Sequence, residues 1–415
     1  MNKTFLVRRL STRALLCFAP YLFGKPVKEM KTEFGKVKTI LIDGASARAG
    51  GGRTYLQELF RCYQYRDDVR VVAIVPAESR EFFEVNDAVQ IMSLPVDSSS
   101  VLLRWLWLRI SIARLLRRLE VNCVFCPGGT LSVPLGSSYR VVTACQNMLP
   151  FDPKERARYR LGYMRFRLFV LRYLQLKSFR RADQTIFLSV YAREKIRQLL
   201  GNVSSERFLL IPHGVPRQPI TPQKWPRQIS SVGSYVLYVS TIDVYKAQIE
   251  VVRAWGLLRD SRPTSEKLLL IGSEYKPYGR WLRREIKELG LQNEVLILGE
   301  VPRQELFNFY RNAKINLFAS SCENGPITLL EAMSAGRCVL CSNVSPMPEF
   351  GEDAVLYFNP YAPTELAALL KNGLEDSKMR IKYGERARVR AQNYDVKESC
   401  RQTWEVLLNS AVENG

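Results

Sequence analysis

Ile315-Asn-Leu-Phe318-Ala-Ser-Ser-Cys-Glu323-Asn324-Gly325-Pro326-Ile327-Thr-Leu-Leu-Glu331-Ala-Met-Ser-Ala-Gly336 reads as a strand, a loop and a helix. Ile315–Phe318 is the strand. Gly325 and Pro326 mark the helix start, because Pro is favoured at the first helical position. Backbone N–H groups at a helix start lack intrahelical partners and favour an anion. Glu323 stands in the loop before them, and Glu331 lies about one and a half turns into the helix. Two carboxylates therefore flank a phosphate-friendly helix start. Carboxylate oxygens accept hydrogen bonds from hydroxyl-rich ligands such as ribose or hexose. On spacing alone, an ordinary strand–loop–helix with solvated acids is the simpler reading.

The same alternation extends in both directions. Upstream strands are expected at Val37–Asp43, Val69–Val75, Val121–Cys126, Arg140–Ala144, Gln184–Leu188 and Phe208–Ile211. Helical patterns lie between them, notably at 101–119 and 155–181. Four prolines between Val215 and Ser231 mark a linker. The pattern then restarts, with strands at Tyr235–Val239, Lys267–Ile271, Glu294–Leu298, Ile315–Phe318, Cys338–Leu340 and Val355–Phe358. Strands alternating with helices imply parallel sheets covered on both faces. The expected fold class is α/β, with two doubly wound Rossmann-like domains facing across a cleft. Ligands bind such sheets at the carboxyl ends of the strands. The expected divisions are a leader at 1–36, a domain at 37–215, a linker at 216–232, a domain at 233–390 and a C-terminal helix at 391–415. That last helix is expected to pack back on the first domain.

Composition narrows the function classes. The chain has 415 residues, a formal net charge of +21 and 47% apolar residues, which excludes a largely disordered protein. It has one His, so a multi-histidine metal site is excluded. The nine cysteines are an odd number and do not form a secreted disulfide framework. Cys123/Cys126 and Cys338/Cys341 have C-x-x-C spacing, but both pairs sit in apolar strand patterns and read as core. Residues 1–215 hold 35 basic and 17 acidic side chains, a balance of +18, which leaves +3 for the remainder. The excess cation therefore belongs to the first half, and it calls for an anionic partner there.

The stretch from Val236 to about Pro360 resembles the retaining glycosyltransferases of family 4, which have the GT-B fold. The resemblance rests on Glu323 and Glu331 with seven residues between them, closed by Ala332-Met-Ser-Ala-Gly336. It continues through the strand at Cys338, Met347-Pro348-Glu349-Phe350, and the run Leu298-Gly299-Glu-Val301-Pro-Arg-Gln-Glu-Leu306. It implies transfer of a sugar from a nucleotide diphosphate donor to a glycan or lipid-linked glycan acceptor, as in bacterial surface polysaccharide synthesis. It further implies that Lys246, at the end of Tyr238–Lys246, binds the donor diphosphate. Glu323 and Lys246 are then the catalytic residues. Gly272, Val301, Asn324, Gly325, Pro326, Ile327 and Glu331 complete the donor site. On the acceptor side it implies Gly51, Gly52, Gln146, Asn147 and His213.

Three of these positions depart from the family pattern or have a competing reading. Many members carry an Arg where Thr241 stands, which leaves Lys246 as the main cation of its loop. Many have His-Asp where Gln146-Asn147 stands, and Gln cannot act as a base at neutral pH. His213, in Pro212-His213-Gly214-Val215, reads first as a turn residue near the cleft. No Asp-x-Asp occurs, so no metal ligand and no cofactor are expected.

The basic half adds a partner. Residues 154–181 carry ten basic side chains interleaved with aromatics, and Arg-rich 101–120 contains Trp105 and Trp107. Aromatic and basic residues together suit an anionic membrane interface; no nucleic-acid motif accompanies them. Ala14–Phe23, after Arg8, Arg9 and Arg13, is either a plain leader or a weak interfacial anchor, too short to span a bilayer. The expected location is cytoplasmic, peripheral on the inner face of the cell membrane. The competing readings are a nucleotide-sugar epimerase or phosphorylase on this fold, and a non-catalytic basic protein that binds membrane or nucleic acid.

Overall fold

A computed structural model describes residues 37–48, 50–94, 111–133, 138–216, 229, 232–263 and 265–412. The leader, most of the proline-rich linker and the Arg/Trp-rich residues 101–110 lie outside these.

Two parallel sheets are present. The first holds β1 (Lys38–Asp43), β2 (Val69–Pro76), β3 (Val89–Leu94), β4 (Val121–Cys126), β5 (Arg140–Cys145), β6 (Gln184–Phe187) and β7 (Phe208–Leu210). The second holds β8 (Tyr235–Val239), β9 (Lys267–Ile271), β10 (Val295–Gly299), β11 (Ile315–Phe318), β12 (Cys338–Ser342) and β13 (Leu356–Phe358). Their orders are β3-β2-β1-β4-β5-β6-β7 and β10-β9-β8-β11-β12-β13. Both reverse direction between their first and fourth strands, which is the Rossmann-like order. The reversal leaves a crevice beyond β1 and β4 in one sheet and beyond β8 and β11 in the other. The central strands are apolar almost throughout because helices cover both faces. Ile40, Leu41, Ile42, Val236 and Leu237 are fully buried.

The helices used below are α1 (Gly50–Arg61), α2 (Pro153–Arg158), α3 (Tyr163–Arg181), α4 (Val190–Leu200), α5 (Gln248–Ser261), α6 (Arg303–Asn312), α7 (Ile327–Ser334) and α8 (Val396–Val412). α8 lies on the first sheet. Trp404 donates from Nε1 to the Leu59 carbonyl at 2.9 Å, and Cys400, Leu407 and Ala411 join the core of that sheet. The chain leaves and re-enters this layer side by side, through a bridge between Val215 and Asp395. A side chain at Gly214 would collide with the backbone of Asp395 and Val396, so the crossing requires glycine.

Some elements differ from the sequence pattern. β3 was not anticipated: it is an edge strand, half exposed, and Val89–Leu94 lacks the continuous apolar run of its neighbours. The single helix expected over 155–181 is two, α2 and α3, broken at Tyr159–Gly162. Gly50, Gly51 and Gly52 form the first turn of α1. Cys123 and Cys126 in β4, and Cys338 and Cys341 in β12, are buried in the sheets.

Candidate functional site

The loop after β8 is built to present Lys246. Asp243 accepts a hydrogen bond from the Val244 N–H at 2.7 Å and opens a single 3-10 turn, Val244–Lys246. Tyr238, from β8, donates to the Lys246 carbonyl at 2.7 Å. Ala247 then adopts a left-handed conformation before α5 begins. Lys246 therefore precedes the helix on a tight turn instead of opening it. Gly272 holds this loop close, because a side chain there would strike the Ser240 carbonyl.

The loop after β11 brings Glu323 to the same place. Lys246 Nζ donates to Glu323 Oε1, and both side chains are largely buried. Burial by itself pushes the ammonium pKa down. The Glu323 carboxylate and its hydrogen bond outweigh that and hold Lys246 above its usual value. This juxtaposition is a consequence of strand order: β8 and β11 are sheet neighbours, 79 residues apart at their first pair, Val236 and Ile315. α7 starts at Ile327, with Pro326 at its N-cap position. The Ile327 N–H turns back to the Gly325 carbonyl at 2.9 Å.

Glu331, on α7, accepts from the Tyr310 hydroxyl of α6 at 3.3 Å and lies 3.4 Å from Arg303. Burial pushes its carboxyl up, and Arg303 and Tyr310 partly offset that. Arg303 also donates to Thr54 Oγ1 of α1 at 2.7 Å, so it spans the cleft. Val301 lies just ahead of it and packs on the second domain's core.

Across the cleft, the glycine-only first turn of α1 faces α7. A Cβ on Gly51 would stand 3.9 Å from Ile327, and one on Gly52 would stand 3.3 Å from Gln146 Oε1. Gln146 Nε2 is buried without a hydrogen-bond partner among the described residues. Asn147 is exposed and accepts from the Leu149 N–H at 2.9 Å, closing the turn after β5. His213 is buried beside the Tyr55 ring at 4.8 Å between centroids. Burial pushes its pKa down to about 4, so it is neutral at physiological pH. Gly325 fits against Leu188 and His213 with no room for a side chain.

Several contacts join the two domains directly. The Asn324 side chain is occupied by the first domain: it donates to the Cys145 carbonyl and accepts from Ser189 at 3.2 Å. Glu349 accepts from the N–H groups of Val190 and Tyr191 at 2.7 and 3.2 Å, and so places a carboxylate on the positive end of α4. Arg158 of α2 pairs with Glu155 at 3.2 Å and with Glu250 of α5. Sequence reasoning missed Arg303, Arg158 and Thr54. Arg303 stands inside the run that carried the resemblance, but its partners come from another domain and another helix.

Residues 49–218 match the family model Glycosyltransferase Family 4, and residues 221–390 match Glycosyl transferases group 1. The chain belongs to glycosyltransferase family 4. Among family relatives, it is 26% identical over 264 residues to the serotype-specific mannosyltransferase WbdA of Escherichia coli, across 60% of this chain and 31% of WbdA. It is 27% identical over 260 residues to the O-antigen chain mannosyltransferase B of Escherichia coli, across 61% of this chain and 65% of that protein. The match thus spans less than two thirds of either relative. The fold is GT-B. The chain superposes on Anabaena Alr3699/HepE in complex with UDP and glucose with a TM-score of 0.69 at 17% identity, covering 90% of this chain and 100% of HepE. It superposes on WaaG, a glycosyltransferase involved in lipopolysaccharide biosynthesis, with a TM-score of 0.68 at 17% identity, covering 89% of this chain and 99% of WaaG.

Proposed function

We propose that this chain is a retaining glycosyltransferase that moves a sugar from a nucleotide diphosphate donor to a glycan acceptor, without a metal ion. The observation that carries the reading is the pairing of Lys246 with Glu323 at the carboxyl edge of β8 and β11, opposite the glycine turn of α1. A donor entering here replaces Glu323 as the anion on Lys246. The ammonium then meets the diphosphate, and the start of α7 adds favourable dipoles. Glu323, released, accepts hydrogen bonds from donor-sugar hydroxyls, and Glu331 accepts from the ribose.

Transfer breaks the bond between the anomeric carbon and the phosphate oxygen and forms one to the acceptor oxygen on the same face. The acceptor proton passes to the departing phosphate oxygen, so no protein base is required. His213, neutral and enclosed, is a wall of the cleft in this scheme. Charge on the leaving diphosphate falls to Lys246 and helix dipoles, in keeping with a sequence that lacks Asp-x-Asp.

The mannosyltransferase relatives support a role in surface polysaccharide synthesis. A further relative, 27% identical over 193 residues, is named as acting on a diphospho-undecaprenol-linked glycan in Campylobacter jejuni, which supports a lipid-linked acceptor at the inner face of the membrane. The test is thermal-shift screening with UDP, GDP, ADP and their sugars, then transfer assays with EDTA and NMR of the product anomer. The reading predicts one stabilising donor class, EDTA-insensitive transfer and a retained anomeric configuration. Full transfer by Lys246→Ala and Glu323→Gln would overturn it.

A further inference from the structure

Helix α3 carries large apolar side chains on two separate faces, and the fold buries only one of them. With about 100° between successive residues, the buried Leu168, Gln175 and Phe179 share one side of the helix. Phe166, Phe169 and Tyr173 fall within about 60° of one another, about 100–160° around the helix from Leu168. They are 68%, 61% and 63% exposed, and Leu161 just before the helix is 85% exposed. A surface helix ordinarily turns polar residues to water. An exposed row of large apolar side chains marks a contact surface.

The charge around this row has one sign. α3 carries six Lys or Arg side chains and no acidic one. None of the six forms an ion pair among the described residues, whereas the arginines of α2, α5 and α8 that carry ion pairs have Glu or Asp partners. Lys177 and Arg180 continue the aromatic row toward the end of α3, and Arg165 and Arg167 flank its start. Aromatic side chains between unpaired cations suit a plane of anionic headgroups over an apolar layer. A second copy of this surface would bring like charges together.

We propose that the exposed face of α3 docks on an anionic phospholipid bilayer, with Phe166, Phe169 and Tyr173 entering the headgroup boundary. No described helix is long and apolar enough to cross a membrane, so this attachment is to the surface. It rests on the membrane-side acceptor proposed above and specifies how the enzyme meets it. Arg158, the last residue of α2 and separated from α3 by Tyr159–Gly162, contacts Ser321 at 3.4 Å, two residues from Glu323. The docked face is therefore tied through α2 to the lip of the donor site.

The experiment is co-sedimentation of the full chain with phosphatidylcholine vesicles, with and without phosphatidylglycerol. The expected result is salt-sensitive binding that requires phosphatidylglycerol. Phe166→Ser/Phe169→Ser/Tyr173→Ser should weaken it at least ~10-fold, and Lys177→Glu/Arg180→Glu should do the same. Both variants should keep the wild-type melting temperature and nucleotide affinity, since these side chains are exposed. Undiminished vesicle binding by the triple variant would overturn the proposal. So would a concentration-dependent dimer, or RNA binding, that the triple variant abolishes. Loss of nucleotide stabilisation in wild type with vesicle binding intact would sink the transferase reading and leave the docking surface standing.

Discussion

Lys246 and Glu323 neutralise each other in a largely buried pair that no sequence motif joins. Removing one partner leaves the other charge without compensation. Such losses cost about 3–5 kcal/mol, and removing both costs less. Lys246→Met and Glu323→Gln should each lower unfolding stability more than the double variant does. Urea denaturation of the four proteins checks this, and a double variant less stable than both singles contradicts it. All three variants should lose donor transfer by at least ~100-fold.

Arg303 holds Thr54 and Glu331 at once, so a nucleotide that takes Glu331 competes with the residue that also bridges to the first domain. Glu331 accepts from ribose hydroxyls most strongly, and at both oxygens, when it is ionised, and burial already raises its pKa. Nucleotide affinity should therefore fall on acidification sooner than it would for an ordinary carboxylate. Arg303→Ala removes a group that lowers this pKa, so the loss should begin at a higher pH still. Calorimetric titration of nucleotide across pH reads the shift. An unchanged profile in Arg303→Ala would count against the coupling.

His213 is the chain's only histidine, so its imidazole signals are unambiguous in NMR. With its pKa pushed from 6.5 to about 4, they should not titrate until well below neutrality. A depressed folded pKa gives stability that is complete above the unfolded value and lost as pH falls through the folded one. About 3 kcal/mol is at stake between pH 6.5 and 4. His213→Asn should flatten that part of the stability profile. A midpoint near 6.5 in the folded protein would refute the buried, neutral assignment.

Gly325 sits where the two domains close. A methyl group there would lie 2.8 Å from Leu188 Cβ and 3.1 Å from His213 Cδ2. Gly325→Ala should cost about 1–3 kcal/mol by overpacking and hold the domains apart. Transfer should fall at least ~10-fold, by analogy with other small misplacements of reacting groups. Nucleotide affinity, set by the second domain, should change little. Equal losses in both measurements would place the damage inside the donor site instead.

Much of the architecture was legible along the chain because parallel strands announce themselves as short apolar runs. Tyr235–Val239 and Ile315–Phe318 fell where periodicity placed them. Edge strand β3 escaped because its residues are half solvated and carry no continuous apolar run. The break at Tyr159–Gly162 escaped because aromatic and basic residues on either side keep the composition of one helix.

At the site, sequence could nominate Lys246, Glu323 and Glu331, since each stands beside a strand end or helix start that constrains its chemistry. It could not pair Lys246 with Glu323, because that contact depends on β8 lying next to β11. It assigned Asn324 to the donor, whereas its side chain in this structure bonds Cys145 and Ser189. It read the cationic excess of the first half but not the row of Phe166, Phe169 and Tyr173, which exists only once packing shows which side of α3 the core has taken. Local patterns determine elements and the residue types at their ends. Which ends meet, and which faces remain uncovered, is decided by strand order and domain contact, and neither leaves a periodic signal in the chain.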